Sequence, residues 1–367
     1  MILHFPPNWF AAVMGTGVIA VAAAGLPWHS PVLDALGIAS WLAATVLMAA
    51  VLTGTALHWR TDRDAAAAHR RDPVTAHFYG ALPMAVLTVG TSTLVAGRTV
   101  LGRSAALAVD LVCFSVGTVA GVIIAVVVPW QRLLRAEPGR PFAGWLMPVV
   151  TPTVSASAAA VLAAELRPGA GQSALLLIGA AMLVLALVLT APVMIVVLRG
   201  LWRSGSGPIG LVPTWWIVLG PLGQSVTAVC LLERAGSGLV GRTGASLLRG
   251  LALSYAVPVW TAALAWIGCA LALTAAAVRR GLPFGLSWWS FTFPVGTFVT
   301  GSAGLAAVEG SMIFAVSAGA GFAALLAIWS LVALRTWRGV TGGTLLRPPV
   351  PAGAPARVSV SGQSGHQ

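Results

Sequence analysis

Apolar runs of roughly 20 residues, parted by short polar stretches, recur along most of the chain and predict membrane-crossing helices. Ten such spans are expected: Asn8–Gly25, Val32–His58, His77–Ala96, Ser104–Trp130, Phe142–Ala164, Gln172–Leu198, Pro213–Leu232, Leu247–Val278, Phe284–Ala307 and Gly310–Leu334. Residues Trp59 to Ala76, rich in Arg, Asp and His, read as a polar loop. Residues 1–337 form the predicted membrane domain, and 338–367 read as a disordered basic cytoplasmic tail of Pro, Gly, Ser and Arg. Even-numbered spans are mostly Leu, Val, Ala and Ile, as a lipid-facing wall requires. Odd-numbered spans carry prolines and hydroxyls.

The odd spans repeat one another. Each opens on aromatic residues, Trp9-Phe10, Phe78-Tyr79, Trp145, Trp215-Trp216 and Trp288-Trp289, at intervals of about 70 residues. A proline follows in four of them, at Pro83, Pro148, Pro221 and Pro294, while the first has Met14-Gly15 instead. Each then turns small and polar: Gly15-Thr16-Gly17, Thr88 to Thr91, Thr151-Pro152-Thr153, Gly223-Gln224-Ser225 and Gly296-Thr297. A proline inside a helix frees the carbonyl four residues back, here Tyr79, Gly144, Ile217 and Ser290. Inside a membrane, freed backbone is tolerated only against protein or a watery cavity. Five bent helices are therefore expected to ring a central pore, inside a wall of even helices. The expected lining is Gly15, Thr16, Pro83, Thr88, Pro148, Thr151, Pro152, Pro221, Gln224, Pro294 and Thr297.

Composition agrees and removes other functions. Hydrophobic residues make up 58% of the chain and charged residues 8%, far below a soluble protein's share. A net charge of +12 would point to nucleic acid in a soluble chain. Here the arginines lie between apolar runs, where they anchor to anionic headgroups, so no nucleic-acid partner is expected. All 21 basic residues are Arg, which excludes a Walker A lysine and a lysine Schiff base. Gly15-Thr16-Gly17-Val18-Ile19-Ala20 fits a dinucleotide fingerprint by letter, but no strand precedes it and it lies within a span. Cys113, Cys230 and Cys269 sit apart in apolar runs, and the His58, His69 and His77 spacing matches no zinc pattern; no metal and no cofactor are expected. An enzyme would need paired acids, a Ser-His pair or metal ligands facing one cavity, and the spans offer no such set. A membrane-embedded enzyme is the alternative class. Arg98, Arg103, Arg167, Arg234, Arg242 and Arg249 fall on one side and the remaining arginines on the other, which predicts both termini in the cytoplasm of a cell-membrane protein. No odd span has a charge at its middle. Hydroxyls, backbone N–H groups and helix N-termini would suit small anions held loosely. Asp110 is the one acid well inside an even span, read as a structural hydrogen-bonding group or a coupling site.

Trp9-Phe10 with Met14-Gly15-Thr16-Gly17, Phe78-Tyr79-Gly80-Ala81-Leu82-Pro83-Met84, Leu219-Gly220-Pro221-Leu222-Gly223-Gln224 and Trp288-Trp289-Ser290-Phe291-Thr292-Phe293-Pro294 carry a resemblance. Together they resemble the tellurite-resistance/dicarboxylate transporter family, which includes the slow-type anion channels of plant guard cells, the yeast malate permease and the yeast sulfite efflux pump. The resemblance covers roughly residues 5–335. It implies an all-α membrane protein of five helical hairpins in quasi-fivefold order around a pore, and a homotrimer. It also implies that Phe293 is the residue that occludes the pore; Phe291, offset by two helical positions, is expected to point elsewhere. The substrate it implies is a small anion; the motifs lie closer to the C4-dicarboxylate (malate-like) and sulfite branch than to the tellurite-resistance branch, with halide and nitrate also fitting a neutral pore.

Overall fold

The computed structural model describes residues 5–133 and 140–346. Its α-helices are α1 (Phe10–Gly25), α2 (Pro31–Thr61), α3 (Arg63–Arg71), α4 (Ala81–Ser92), α5 (Arg98–Leu101), α6 (Arg103–Leu133), α7 (Leu146–Glu165), α8 (Ala170–Ser204), α9 (Leu219–Gly236), α10 (Arg242–Arg279), α11 (Thr292–Glu309) and α12 (Met312–Thr341). Among the described residues there is no strand, and ten helical segments are long and apolar enough to cross a bilayer. The protein is an all-α polytopic membrane protein. The last helix runs to Thr341, past the expected start of the tail; residues 347–367 of that tail lie outside the described residues.

The expected loop at Trp59–Ala76 is in part helical. Asp62 caps α3 by accepting the Ala65 N–H at 2.9 Å, four alanines follow, and His69, Arg70 and Arg71 close the last turn. Acid at the N-terminus and base at the C-terminus match the helix dipole, and the alanines give this short polar stretch a small face that buries Ala66.

The prolines stand near the starts of the inner helices and not at their middles. Every odd span begins as a 3-10 helix and passes into α-helix: Pro7–Trp9 before α1, Thr75–Gly80 before α4, Ala143–Trp145 before α7, Ile209–Val218 before α9 and Leu286–Phe291 before α11. Pro83, Pro148, Pro221 and Pro294 each stand third in the α-helix that follows. A proline there cannot donate to the carbonyl four residues back. The backbone tightens at the junction, and the carbonyls of Tyr79, Gly144 and Ile217 accept the N–H two residues on, from Ala81, Leu146 and Leu219. Three of the four carbonyls predicted to be free are therefore used within the helix; at the fourth junction the Thr292 N–H donates to the Trp289 carbonyl.

The odd spans are inner and the even spans outer. In the inner spans 78–94% of the most apolar stretch is buried in protein, against 17–33% in the outer ones. Helix α1 packs against α4, α4 against α7, α7 against α9, α9 against α11, and α11 against α1, which closes a circuit of five. Each outer helix rests on its own inner helix and on the next one round: α2 on α1 and α4, α6 on α4 and α7, α8 on α7 and α9, α10 on α9 and α11, α12 on α11 and α1. Lipid is as apolar as the helices, so close packing of small residues holds such a circuit together. Gly117 and Gly121 of α6 show the device. A Cβ at either would press on Leu87 of α4 or Thr151 of α7 at 2.7 and 2.6 Å.

Tryptophans tie outer helices to the next inner helix. The indole N–H of Trp41 donates to the Thr93 hydroxyl at 2.8 Å, that of Trp260 to Ser302 at 2.8 Å, and that of Trp329 to Thr16 at 3.0 Å. The last of these joins α12 to α1 and so links the end of the chain to its beginning. Trp329→Phe keeps the packing and removes the donor, so a loss of about 1 kcal/mol is expected. A lowered thermal midpoint in detergent, with the oligomeric profile unchanged, checks it.

Candidate functional site: an uncharged cavity at the centre of the inner helices

One cavity is lined by all five inner helices. Val18 and Val21 come from α1, Thr88 and Thr91 from α4, Val154, Ser157, Ala158 and Val161 from α7, Gln224, Thr227 and Leu231 from α9, and Phe293 and Thr300 from α11. Its volume is about 50 Å³, room for water but not for a hydrated ion. The residues recur at three, four and seven positions, which is one face of each helix turned inwards. None of them carries a charge.

Its polar groups form a belt. The Gln224 side-chain N–H donates to the Ser157 hydroxyl at 2.9 Å, linking α9 to α7. The Thr227 and Thr300 hydroxyls are 2.8 Å apart and link α9 to α11. Thr88 donates to the Met84 carbonyl at 2.7 Å, and Ser157 to the Thr153 carbonyl at 3.2 Å. Phe293 is buried and lies two turns from Thr300 along α11, so its ring meets the cavity at one end of the belt. Phe291 turns away from it: its ring stands edge-on to Trp216 and Trp288, with centroids 5.7 and 5.6 Å apart.

Of the residues singled out in the sequence, Thr88, Gln224 and Phe293 come together in this cavity. The others lie where helices meet. Gly15 faces α11, where a Cβ would fall 2.1 Å from the Thr292 hydroxyl oxygen. Thr16 donates to the Ala12 carbonyl and accepts from Trp329, on the side of the outer helix. Thr151 reaches the carbonyls of Gly80 and Met147 between α7 and the turn before α4. Thr297 donates to the Pro294 carbonyl at 2.7 Å and approaches Leu219 of α9. Pro83, Pro148, Pro152, Pro221 and Pro294 are buried in the first turns and walls of the inner helices, outside the cavity.

Sequence reasoning passed over Val18, Ser157, Thr227 and Thr300. The signal was present: Thr227 is one turn beyond Gln224, and Thr300 two turns beyond Phe293. The motif residues mark where each inner helix starts, and the cavity lies one to two turns deeper.

A charge-free, largely apolar cavity with a belt of hydroxyl and amide groups, enclosed by five bilayer-length helices inside a lipid-facing wall, belongs to a membrane transporter or channel. Residues 4–337 match the family described as SLAC1, voltage-dependent anion channel, and the chain belongs to that family. Among known proteins, an uncharacterized transporter of Methanocaldococcus jannaschii is 25% identical over 307 residues, 82% of this chain and 84% of that protein. The sulfite efflux pump SSU1 of Arthroderma otae is 25% identical over 354 residues, 93% of this chain and 92% of the pump. The SSU1 pump of Trichophyton rubrum is 24% identical over 308 residues, 82% of this chain and 81% of the pump.

Proposed function

We propose that the protein carries small anions across the cell membrane along the axis of its five inner helices, with Phe293 as the closure. The observation that supports this most is the central cavity, to which every inner helix contributes and no charge does. A fixed cation there would hold an anion too tightly for release, and a fixed anion would repel it. Neutral donors bind weakly. Thr88 and Ser157 spend their hydroxyl hydrogens on backbone carbonyls, which leaves the second N–H of Gln224 and the Thr91 hydroxyl to meet a passing solute.

Sulfite is the preferred substrate. Two relatives that align along most of their length are sulfite efflux pumps, and a small oxyanion suits a narrow cavity better than a C4-dicarboxylate such as malate. In this reading the inner helices stand in quasi-fivefold order around the pore, three copies form a homotrimer, and both termini face the cytoplasm.

The test is a counterflow panel of sulfite, malate, tellurite, nitrate and chloride in proteoliposomes. Sulfite is expected to exchange fastest. Monodisperse protein that moves none of them overturns the reading. Gln224→Leu is expected to slow sulfite about tenfold, because a hydrogen bond to a charged group is worth about 1.5–3 kcal/mol. Measuring it in the Phe293→Ala background isolates binding from closure.

A further inference from the structure

Asp110 sits in α6, seven residues from the first residue of that helix, or about 10 Å along its axis. It is fully buried, and neither carboxyl oxygen has a hydrogen-bond partner among the described residues. It points at α4 through a gap that only glycine leaves. A Cβ on Gly90 would stand 2.6 Å from Oδ1 of Asp110 and 2.5 Å from Cβ of Cys113. Thr88 and Thr91, on either side of Gly90, turn the opposite way and line the central cavity. Directly beyond them Thr93–Gly97 is a π-helix, a widened turn that can take up a shift in register.

Among the described residues nothing in the surroundings compensates a negative charge. On its own helix the nearest titratable group is Cys113, one turn on. Helix α4 and the π-helical turn carry none, and the 3-10 turn at Thr75–Gly80 has His77 and Tyr79 at the far end of α4. In α7 the one acid is Glu165, which Arg98 of α5 and Arg103 of α6 hold at 2.9 and 3.0 Å. A carboxylate with no donor and no cation, buried at membrane depth, is unfavourable by several kcal/mol. The packed arrangement therefore holds the neutral acid.

We propose that Asp110 is a proton-binding site that controls the central cavity through α4. With the proton on, the neutral carboxyl fits against Gly90 and the inner circuit stays closed. When the proton leaves to water, the carboxylate needs hydrogen-bond donors. The α4–α6 contact loosens to admit them, and α4 moves Thr88 and Thr91 with it. Rising pH then opens the anion path. Asp110 is a positioning residue in this scheme and does not touch the solute. The scheme rests on the anion-pathway reading above.

The test is nitrate flux in proteoliposomes, since nitrate does not itself titrate in the range used. Wild-type flux is expected to rise about tenfold from pH 6 to pH 9, the shift that a differential stabilisation of about 1.4 kcal/mol produces. Asp110→Asn mimics the neutral acid and is expected to hold the low-pH rate throughout. A wild type that is flat with pH, or an Asp110→Asn protein that keeps the wild-type rise, overturns the proposal. The Phe293→Ala protein in the same vesicles separates the two ideas. If it conducts while the wild type and Asp110→Asn share one pH profile, the switch alone fails; if it does not conduct, the pathway fails first. Infrared spectra of the wild type give a readout that needs no variant. The carbonyl band of a protonated carboxylic acid should be present at pH 6 and fade as pH rises, and its absence at pH 6 overturns the proposal.

Discussion

Phe293→Ala is expected to raise anion flux through the purified protein by about 10- to 100-fold. The ring lies at one end of a cavity of about 50 Å³ and is itself buried. An anion passing it must shed water against an apolar face, which costs a few kcal/mol. Each 1.4 kcal/mol taken off a barrier is a factor of ten in rate. Truncation to alanine opens space for water without touching the polar belt one to two turns away. Proteoliposome flux, normalised to folded protein, is the measurement, and an unchanged rate rules out Phe293 as the closure. Phe291→Ala is the matched control. That ring packs on Trp216 and Trp288, so its loss should lower thermal stability by about 1 kcal/mol or more and leave the passage shut.

Gly223→Ala is expected to disrupt assembly of the inner circuit. A Cβ on Gly223 would lie 2.7 Å from the Thr297 carbonyl carbon and 2.7 Å from the Phe298 nitrogen. These are backbone atoms of α11 and cannot rotate aside, so α9 and α11 must separate. Overpacking of this kind costs about 1–3 kcal/mol, and here it also breaks the Thr227–Thr300 contact at the cavity wall. Gly80→Ala meets the same obstacle at the Met147 carbonyl, again at 2.7 Å. Gly220→Ala is the control. It lies one turn from Gln224 on the same helix, and a Cβ there meets nothing within 4 Å. Gel-filtration profile and thermal midpoint should collapse for the first two variants and hold for the third. Equal behaviour of all three would show that the close approach of α9 to α11 does not matter.

The two kinds of span were legible along the chain because the solvents they face differ. Outer helices such as α6 and α8 meet lipid on most of their surface, and lipid accepts only aliphatic side chains there. Inner helices meet other helices, so they can carry Thr, Ser, Gln and Gly. The repeated aromatic-and-proline opening was legible for a similar reason, since a proline's missing N–H acts on its own helix whatever surrounds it. Pro83 and its counterparts stand at a passage from 3-10 to α-helix, near the start of each inner span. Helix α3 was not legible because it is only nine residues long and its apolar face is made of alanine alone.

By itself, then, the sequence determined ten spans, their alternation between wall and interior, and an interior without charge at its centre. Those are properties of single helices in a bilayer, decided by local chemistry. Which hydroxyl meets the cavity was decided by the tertiary structure alone. Thr88 and Gln224 face it, while Thr16 accepts a hydrogen bond from Trp329, more than 300 residues away in the chain. The rotation of each inner helix about its axis is set by contacts with two neighbours in the circuit and with the outer helices behind it. Those contacts exist only once the last repeat has closed against the first.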